Sequence, residues 1–139
     1  MGVLQKTFRV STRGHSDVLD ITVQVARIVT ESGIRQGIVN IAGVGSTLGI
    51  TTLEFEPGCV EDLRRTLEQI APADGEYAHN QRWGDGNGYA HLRSALVGTA
   101  RSFPVTEGRL ATGTWQQIVL CDFDNRKRDR QVMVTVIGE

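Results

Sequence analysis

The chain has 139 residues, which is short enough for one domain and long enough to bury a sizeable core. Hydrophobic residues make up 40% and charged residues 22%, and these ordinary globular proportions exclude wholesale disorder. The formal net charge of −1 excludes the strongly basic field that drives nonspecific binding to nucleic acid or anionic lipid.

The first predicted elements are a strand and a helix. Residues Val3–Val10 alternate between apolar and polar and predict a strand. Ser16 is expected to cap the helix that follows, and Gly33 is expected to end it. The side of this helix that we expect to be buried carries Leu19, Val23, Ala26 and Ile28 or Val29.

Two further strands are predicted on either side of a Gly-rich segment, residues 43–49. Ile34–Ala42 is rich in Ile and Val, and Ile50–Phe55 is again strand-like. From Cys59 to Ile70 the apolar residues follow 3.6-residue spacing and predict a helix, which Pro72 stops.

The second half begins with an unusually long polar segment. We expect residues Ala73–Tyr89 to form a loop, whose length is typical of functional loops. A short helix is predicted over Ala90–Leu96, and three strands follow at Arg101–Val105, Leu110–Asp122 and Asp129–Ile137. Because successive strands follow one another without helices, we predict an α+β fold: a single domain, residues 1–139, with a mixed, mostly antiparallel sheet packed against two or three helices.

Features of an exported or membrane-bound protein are missing from this sequence. Cys59 and Cys121 have no close metal spacing and are too few for a disulfide framework. No apolar run approaches the roughly 20 residues that span a bilayer, and the N-terminus lacks the apolar core of a signal peptide. We expect a soluble, cytoplasmic protein with free thiols and with neither a membrane nor a nucleic-acid partner.

Two of the three histidines, His79 and His91, flank the long polar segment. Neutral imidazoles ligate metals, shuttle protons or contact phosphate. With Asp85 or Glu54 they would form a set of two histidines and one carboxylate that is suited to a metal ion. The alternative is that both histidines cap loops or bond to the backbone, and no HExxH or HxH motif decides between the two.

The Gly-rich segment 43–49 is a candidate anion site. Its backbone N–H groups, with the hydroxyl groups of Ser46 and Thr47, would face a phosphate. It is not a P-loop, because the lysine is missing and a strand follows. The alternative is a strand connection that needs glycine for unusual dihedral angles.

Several other residues are candidates with two interpretations each. Glu54 would be a general base, a metal ligand or a surface residue, and Asp62 has the same alternatives or favours a helix dipole. Trp115 is predicted to be a core residue within a strand, and Gln116, if it faces inward, must be hydrogen-bonded or line a pocket. The cluster at residues 126–130 is a solvated hairpin tip, or its Arg128 or Arg130 contacts an anion.

Together these segments closely resemble one family, the YjbQ-like family. The matching motifs are GSTLGITTLEFEPGCVEDL (45–63), Tyr77-x-His79, WGDGNGYAHL (83–92), GRLATGTWQ (108–116), Arg128-x-Arg130 and IGE (137–139). The resemblance implies a compact α+β fold that assembles as a trimer, with a site near the subunit boundaries. Members are often labelled secondary thiamine-phosphate synthases.

The resemblance also suggests which residues form the site. It implies roles for Glu54, Asp62, His79, Asn87, His91 and Gln116, together with Arg128 or Arg130. This chain departs from many members at Gly45, where they carry a histidine. A metal site made of three histidines is therefore not implied here.

Three functions follow as alternatives. The first is a transferase acting on a small phosphorylated substrate, with thiamine-phosphate formation as the type reaction. It would use His79, His91, Glu54 and Gln116 in catalysis, and Ser46, Thr47, Asp62, Asn87, Arg128 and Arg130 in substrate binding. The second is a non-catalytic homotrimer that binds a metal or a phosphorylated metabolite. The divalent ion, zinc or magnesium, would be held by His79, His91 and Glu54. The third is a mainly structural protein.

Overall fold

The computed structural model describes residues 1–139 as eight strands and four helices. In chain order they are β1 (Gly2–Thr12), β2 (Asp17–Asp20), α1 (Thr22–Ser32), β3 (Gln36–Gly43), β4 (Leu48–Leu53), α2 (Pro57–Ile70), α3 (Ala78–Trp83), α4 (Gly88–Val97), β5 (Ala100–Thr106), β6 (Arg109–Leu110), β7 (Gln117–Asp122) and β8 (Arg128–Gly138).

The strands form two sheets in which every pairing is antiparallel. The larger sheet has the order β1-β8-β3-β5-β6, and the smaller sheet has the order β2-β7-β4. The predicted α+β class is therefore confirmed. The strands are divided between two sheets, where we expected one, and there are four helices, where we expected two or three.

Strand β7 lies at the centre of the molecule because it is buried on both faces. Side chains alternate along a strand, so Ile118 and Leu120 face one side while Val119 and Cys121 face the other. The first pair joins a core that includes α1 and the larger sheet. The second pair joins a smaller core with residues of α2 and α4. Both faces of β7 are therefore packed in a core, which fixes the position of Asp122 at its end and of Asp124 just after it.

The predicted start of the first helix is wrong. Residues 17–20 form β2, where Leu19 pairs with Leu120 of β7, so these apolar residues fill a sheet and not a helix. The helix begins at Thr22, whose backbone N–H donates to Asp20 Oδ1 at 2.9 Å. Its buried residues are Val25, Ile28 and Val29, whereas Val23 is 66% exposed.

Two further predictions differ from the structure. The long polar segment is not a plain loop, because it contains α3, and α4 begins at Gly88. Trp115 lies in a turn ahead of β7 and is 72% exposed, so it is not a core residue. The Gln116 side chain holds this turn, since its Oε1 accepts a hydrogen bond from the Gly113 N–H at 2.9 Å.

Both cysteines are free thiols, as the sequence predicts. Burial raises the pKa of Cys121 to about 12, which makes this thiol unreactive. None of the four helices combines the length and the apolar character needed to cross a bilayer.

Candidate functional site

The structure brings His79 and His91 together. His79 is the second residue of α3 and His91 the fourth of α4, and their ring centroids are 4.6 Å apart with the planes inclined at 42°. Glycine at position 88 allows the two helices to approach, since a Cβ there would lie 2.7 Å from the Tyr77 Cβ. The Asn80 side chain secures the junction by accepting a hydrogen bond from the Gly88 N–H at 2.9 Å.

His79 Nδ1 is buried and has no hydrogen-bond partner. The nearest carboxylate oxygen is Asp85 Oδ1 at 3.4 Å, which is close enough for an ion pair when the ring is protonated. A buried ring nitrogen without a partner is costly in a folded protein. This nitrogen is therefore suited to receive a proton or a ligand.

His91 lines a surface cavity of about 360 Å³. The cavity is also lined by Gly45 and Ser46 of the loop between β3 and β4, by Ser94 of α4 and by Thr99, which follows α4. The backbone N–H groups of Gly45, Ser46 and Thr47 donate no hydrogen bond within the chain. Two of these residues, Gly45 and Ser46, line the cavity with His91. Successive backbone N–H groups without a partner are well suited to an anion.

A buried ion pair lies behind this loop. Arg130 donates from Nε to Asp122 Oδ2 at 2.7 Å and from Nη2 to Asp122 Oδ1 at 2.8 Å. The Asp122 carboxylate also accepts from the Thr12 hydroxyl at 2.6 Å, and Arg130 Nη2 lies 2.7 Å from Thr47 Oγ1. The pair therefore fixes the position of the Gly45–Thr47 loop.

Asp124, two residues further on, holds three segments together. Its carboxylate accepts hydrogen bonds from Arg128 Nε at 2.8 Å, Thr47 Oγ1 at 3.1 Å and Asn87 Nδ2 at 3.3 Å, and from the Asn125 backbone. Burial raises the pKa of this carboxyl, but the four donors together outweigh it and lower the pKa to about 2. Asp124 is consequently ionised at neutral pH.

The predicted binding residues differ in what they contact. Ser46 lies on the cavity. Thr47, Asn87 and Arg128 direct their donors to Asp124, and only the Asn87 Oδ1 remains buried without a partner. These three side chains therefore hold the surrounding segments in place through Asp124.

Three of the predicted residues lie away from the histidines within one chain. Glu54 is exposed and lines a second cavity with Trp115 and Phe55, and Gln116 donates to Thr52 Oγ1 at 3.4 Å. Asp62 is exposed on α2 and pairs with Arg65 at 2.7 Å. A single chain does not bring these three side chains to the cavity at His91.

The residues present do not make a complete metal site in one chain. No group of three His, Cys, Asp or Glu side chains is arranged to hold an ion. The two imidazoles are together, but Glu54 does not join them, so the set of His79, His91 and Glu54 is not assembled. We therefore derive no reaction step through a metal.

The two aspartates were not foreseen from the sequence, although a signal for them exists. Asp122 and Asp124 are two residues apart at the end of an apolar strand, and Arg128 and Arg130 are two apart at the start of the next. The strands β7 and β8 belong to different sheets, so residues 126–130 are not the tip of a hairpin as predicted. Residues two apart in an extended chain still lie on the same side, which lets each pair face one direction. An acidic pair opposite a basic pair predicts buried ion pairs.

The family model for "UPF0047 protein YjbQ-like" matches residues 6–139, almost the entire chain. The chain belongs to the YjbQ-like family. It is 34% identical over 139 residues to a UPF0047 protein of Methanothermobacter thermautotrophicus, covering 100% of this chain and 95% of that one. It is also 34% identical over 134 residues to YugU of Bacillus subtilis, covering 96% and 98%.

Solved structures of the YjbQ-like family have the same fold. A protein of unknown function from Sulfolobus solfataricus superposes with a TM-score of 0.94 at 37% identity and covers 99% of both chains. A hypothetical protein from Aeropyrum pernix gives 0.91 at 31% identity, covering 98% of this chain and 99% of that one. The predicted family is thus confirmed.

Proposed function

We propose that this protein is a transferase that binds a small phosphorylated substrate in the cavity at His91 and uses the histidine pair for proton transfer. The observation that carries the proposal is the contact between His79 and His91 at the edge of a cavity lined by free backbone N–H groups. Imidazoles titrate near neutral pH and are the commonest general acids in enzymes. Backbone N–H groups are suited to the oxygens of a phosphate.

Thiamine-phosphate formation illustrates what such a site would do. The bond between the pyrimidine methylene carbon and the diphosphate oxygen breaks, and diphosphate leaves with the electron pair. The thiazole nitrogen then forms the new C–N bond to that carbon. Negative charge concentrates on the leaving oxygen, where the N–H groups of residues 45–47 would stabilise it.

The histidines would supply the proton. His79 Nδ1 faces Asp85 at 3.4 Å, so a protonated His79 gains an ion pair that keeps the ring oriented. His91 lies on the cavity itself and is the ring closer to a bound substrate. His91 would protonate the leaving oxygen. The Asp85 carboxylate would stabilise the positive charge of a protonated His79 next to it.

Alanine substitution of either histidine is expected to lower the rate of diphosphate release by about 100-fold or more, the usual contribution of a general acid. The assay uses purified protein, a pyrimidine-methyl diphosphate, a thiazole phosphate and Mg²⁺. His15→Ala is the matched control, because His15 is exposed and lines a different cavity. Undiminished activity in both His79→Ala and His91→Ala would remove the histidines from the mechanism.

The second candidate is binding of a divalent ion or a phosphorylated metabolite without turnover. It is favoured by the buried His79 Nδ1, which has no partner and is a potential metal ligand. Elemental analysis after gentle purification distinguishes the two functions. One zinc or magnesium per chain that is lost in His79→Ala, in a protein without turnover, would support binding. Metal-free protein that turns over substrate would contradict it.

The proposed assembly is a homotrimer in which a neighbouring copy brings Glu54 and Gln116 toward the histidines. The support is the separation of these residues from His91 in one chain, together with the large apolar side chains exposed next to Glu54, Trp115 and Phe55. Light scattering should give about three times the 15.2 kDa chain mass, and Trp115→Ala should shift the mass toward the monomer. A monomeric wild-type protein would contradict the assembly.

A further inference from the structure

One guanidinium nitrogen of Arg130, Nη1, has no hydrogen-bond acceptor within the chain. Its side chain is only 8% exposed, and Nε and Nη2 bond to Asp122 and Thr47. Nη1 donates no hydrogen bond within the chain, yet it is not among the polar atoms that are sealed from solvent without a partner. A guanidinium nitrogen in this state is available to an acceptor from outside.

Gly45 is the residue beside that amino group. A Cβ built on Gly45 would lie 2.9 Å from Arg130 Nη1 and 3.2 Å from Leu48 Cδ2. The backbone φ of Gly45 is +154°, which other residues rarely adopt. Gly45 also lines the cavity at His91, so this residue adjoins both the cavity and the guanidinium.

We infer that Gly45 determines ligand specificity by leaving Arg130 Nη1 open to a phosphate group bound in the cavity. The inference rests on the proposed function, since it names the ligand group of the same site. Asp122 balances the charge of Arg130, so Nη1 acts as a fixed hydrogen-bond donor alongside the N–H groups of residues 45–47. A guanidinium nitrogen and successive backbone N–H groups are donors typical of phosphate sites.

The same geometry explains why a side chain at position 45 would change the ligand. An added Cβ would lie 2.9 Å from Nη1, where it would hinder the approach of an acceptor to this nitrogen. Ligands whose phosphate reaches behind the loop would lose this contact, whereas ligands that contact His91 alone would keep theirs. A side chain at position 45 should therefore weaken phosphate binding without moving His79 or His91.

The test is a titration of the wild-type chain with inorganic phosphate, followed by NMR of the arginine side chains and of the histidine rings. We expect the Arg130 and His91 signals to shift together. In Gly45→Ala the phosphate affinity should fall about tenfold or more, the usual effect of losing a hydrogen bond to a charged group. Gly33→Ala is the control, since it also has positive φ but nothing lies within 4 Å of an added Cβ.

The outcomes separate this inference from the proposed function. Shifts of His91 without any shift of Arg130, or unchanged affinity in Gly45→Ala, would overturn the role of Gly45 and leave the histidine site standing. If neither group responds to phosphate, both proposals fall. The wild-type titration decides the matter even where Gly45→Ala does not fold.

Discussion

Replacement of Asp122 by asparagine is expected to lower the free energy of unfolding by about 3–5 kcal/mol, because it leaves the Arg130 charge buried without its partner. The Asp122 side chain is completely buried and accepts two hydrogen bonds from Arg130 and one from Thr12. Asparagine keeps the shape but presents an NH₂ group to one of these donors. Urea denaturation of the purified variants measures the loss.

The matched control is Asp129→Asn, on β8, the next strand along the chain. Asp129 pairs with Arg9 at 3.2 Å, but both side chains are about 60% exposed. Exposed pairs contribute roughly 0–1 kcal/mol, so this variant should unfold close to the wild-type midpoint. Equal losses in the two aspartate variants would show that burial of the Asp122 pair does not matter to stability.

The second large effect is expected at Gly14, in the turn between β1 and β2. Gly14 has φ +71°, and an added Cβ would lie 2.3 Å from the Arg126 carbonyl oxygen, which belongs to backbone that cannot rotate away. We expect Gly14→Ala to cost about 3 kcal/mol or more, as the sum of left-handed strain and overpacking. Thermal and urea unfolding both measure this.

Gly33→Ala isolates the strain of the left-handed conformation from the overpacking. Gly33 ends α1 with φ +69°, almost the value at Gly14, and an added Cβ there meets nothing within 4 Å. It should lose only the strain of the left-handed conformation, about 1–2 kcal/mol. A Gly14→Ala variant no less stable than Gly33→Ala would mean that the loop at Arg126 moves aside freely.

The fold class was predictable because the strand and helix periods are strong in this sequence. The prediction of a helix at Leu19 was wrong, because Leu19 lies in a strand and pairs with Leu120. That pairing joins residues about a hundred positions apart, and local patterns carry no information on such contacts. The small sheet was missed for the same reason.

The site was predictable in part. The two histidines were expected to fold back toward each other, and they lie 4.6 Å apart. Glu54 was expected beside them and lies on another cavity, because it follows the end of β4, whereas Gly45 and Ser46 of the cavity at His91 precede its start. Trp115 was assigned to the core from its residue type, whereas the Gln116 side chain holds a turn that exposes it.

The contacts of Asp124 have a mechanical consequence. One carboxylate is bonded to the β3–β4 loop through Thr47, to the start of α4 through Asn87, and to the start of β8 through Arg128. The turn before β2 joins the same residue, since the His15 N–H donates to the Asp124 carbonyl oxygen at 2.6 Å. These four segments come from distant parts of the chain, and a displacement of any one is shared with the other three. We therefore expect the four segments to move together around the cavity.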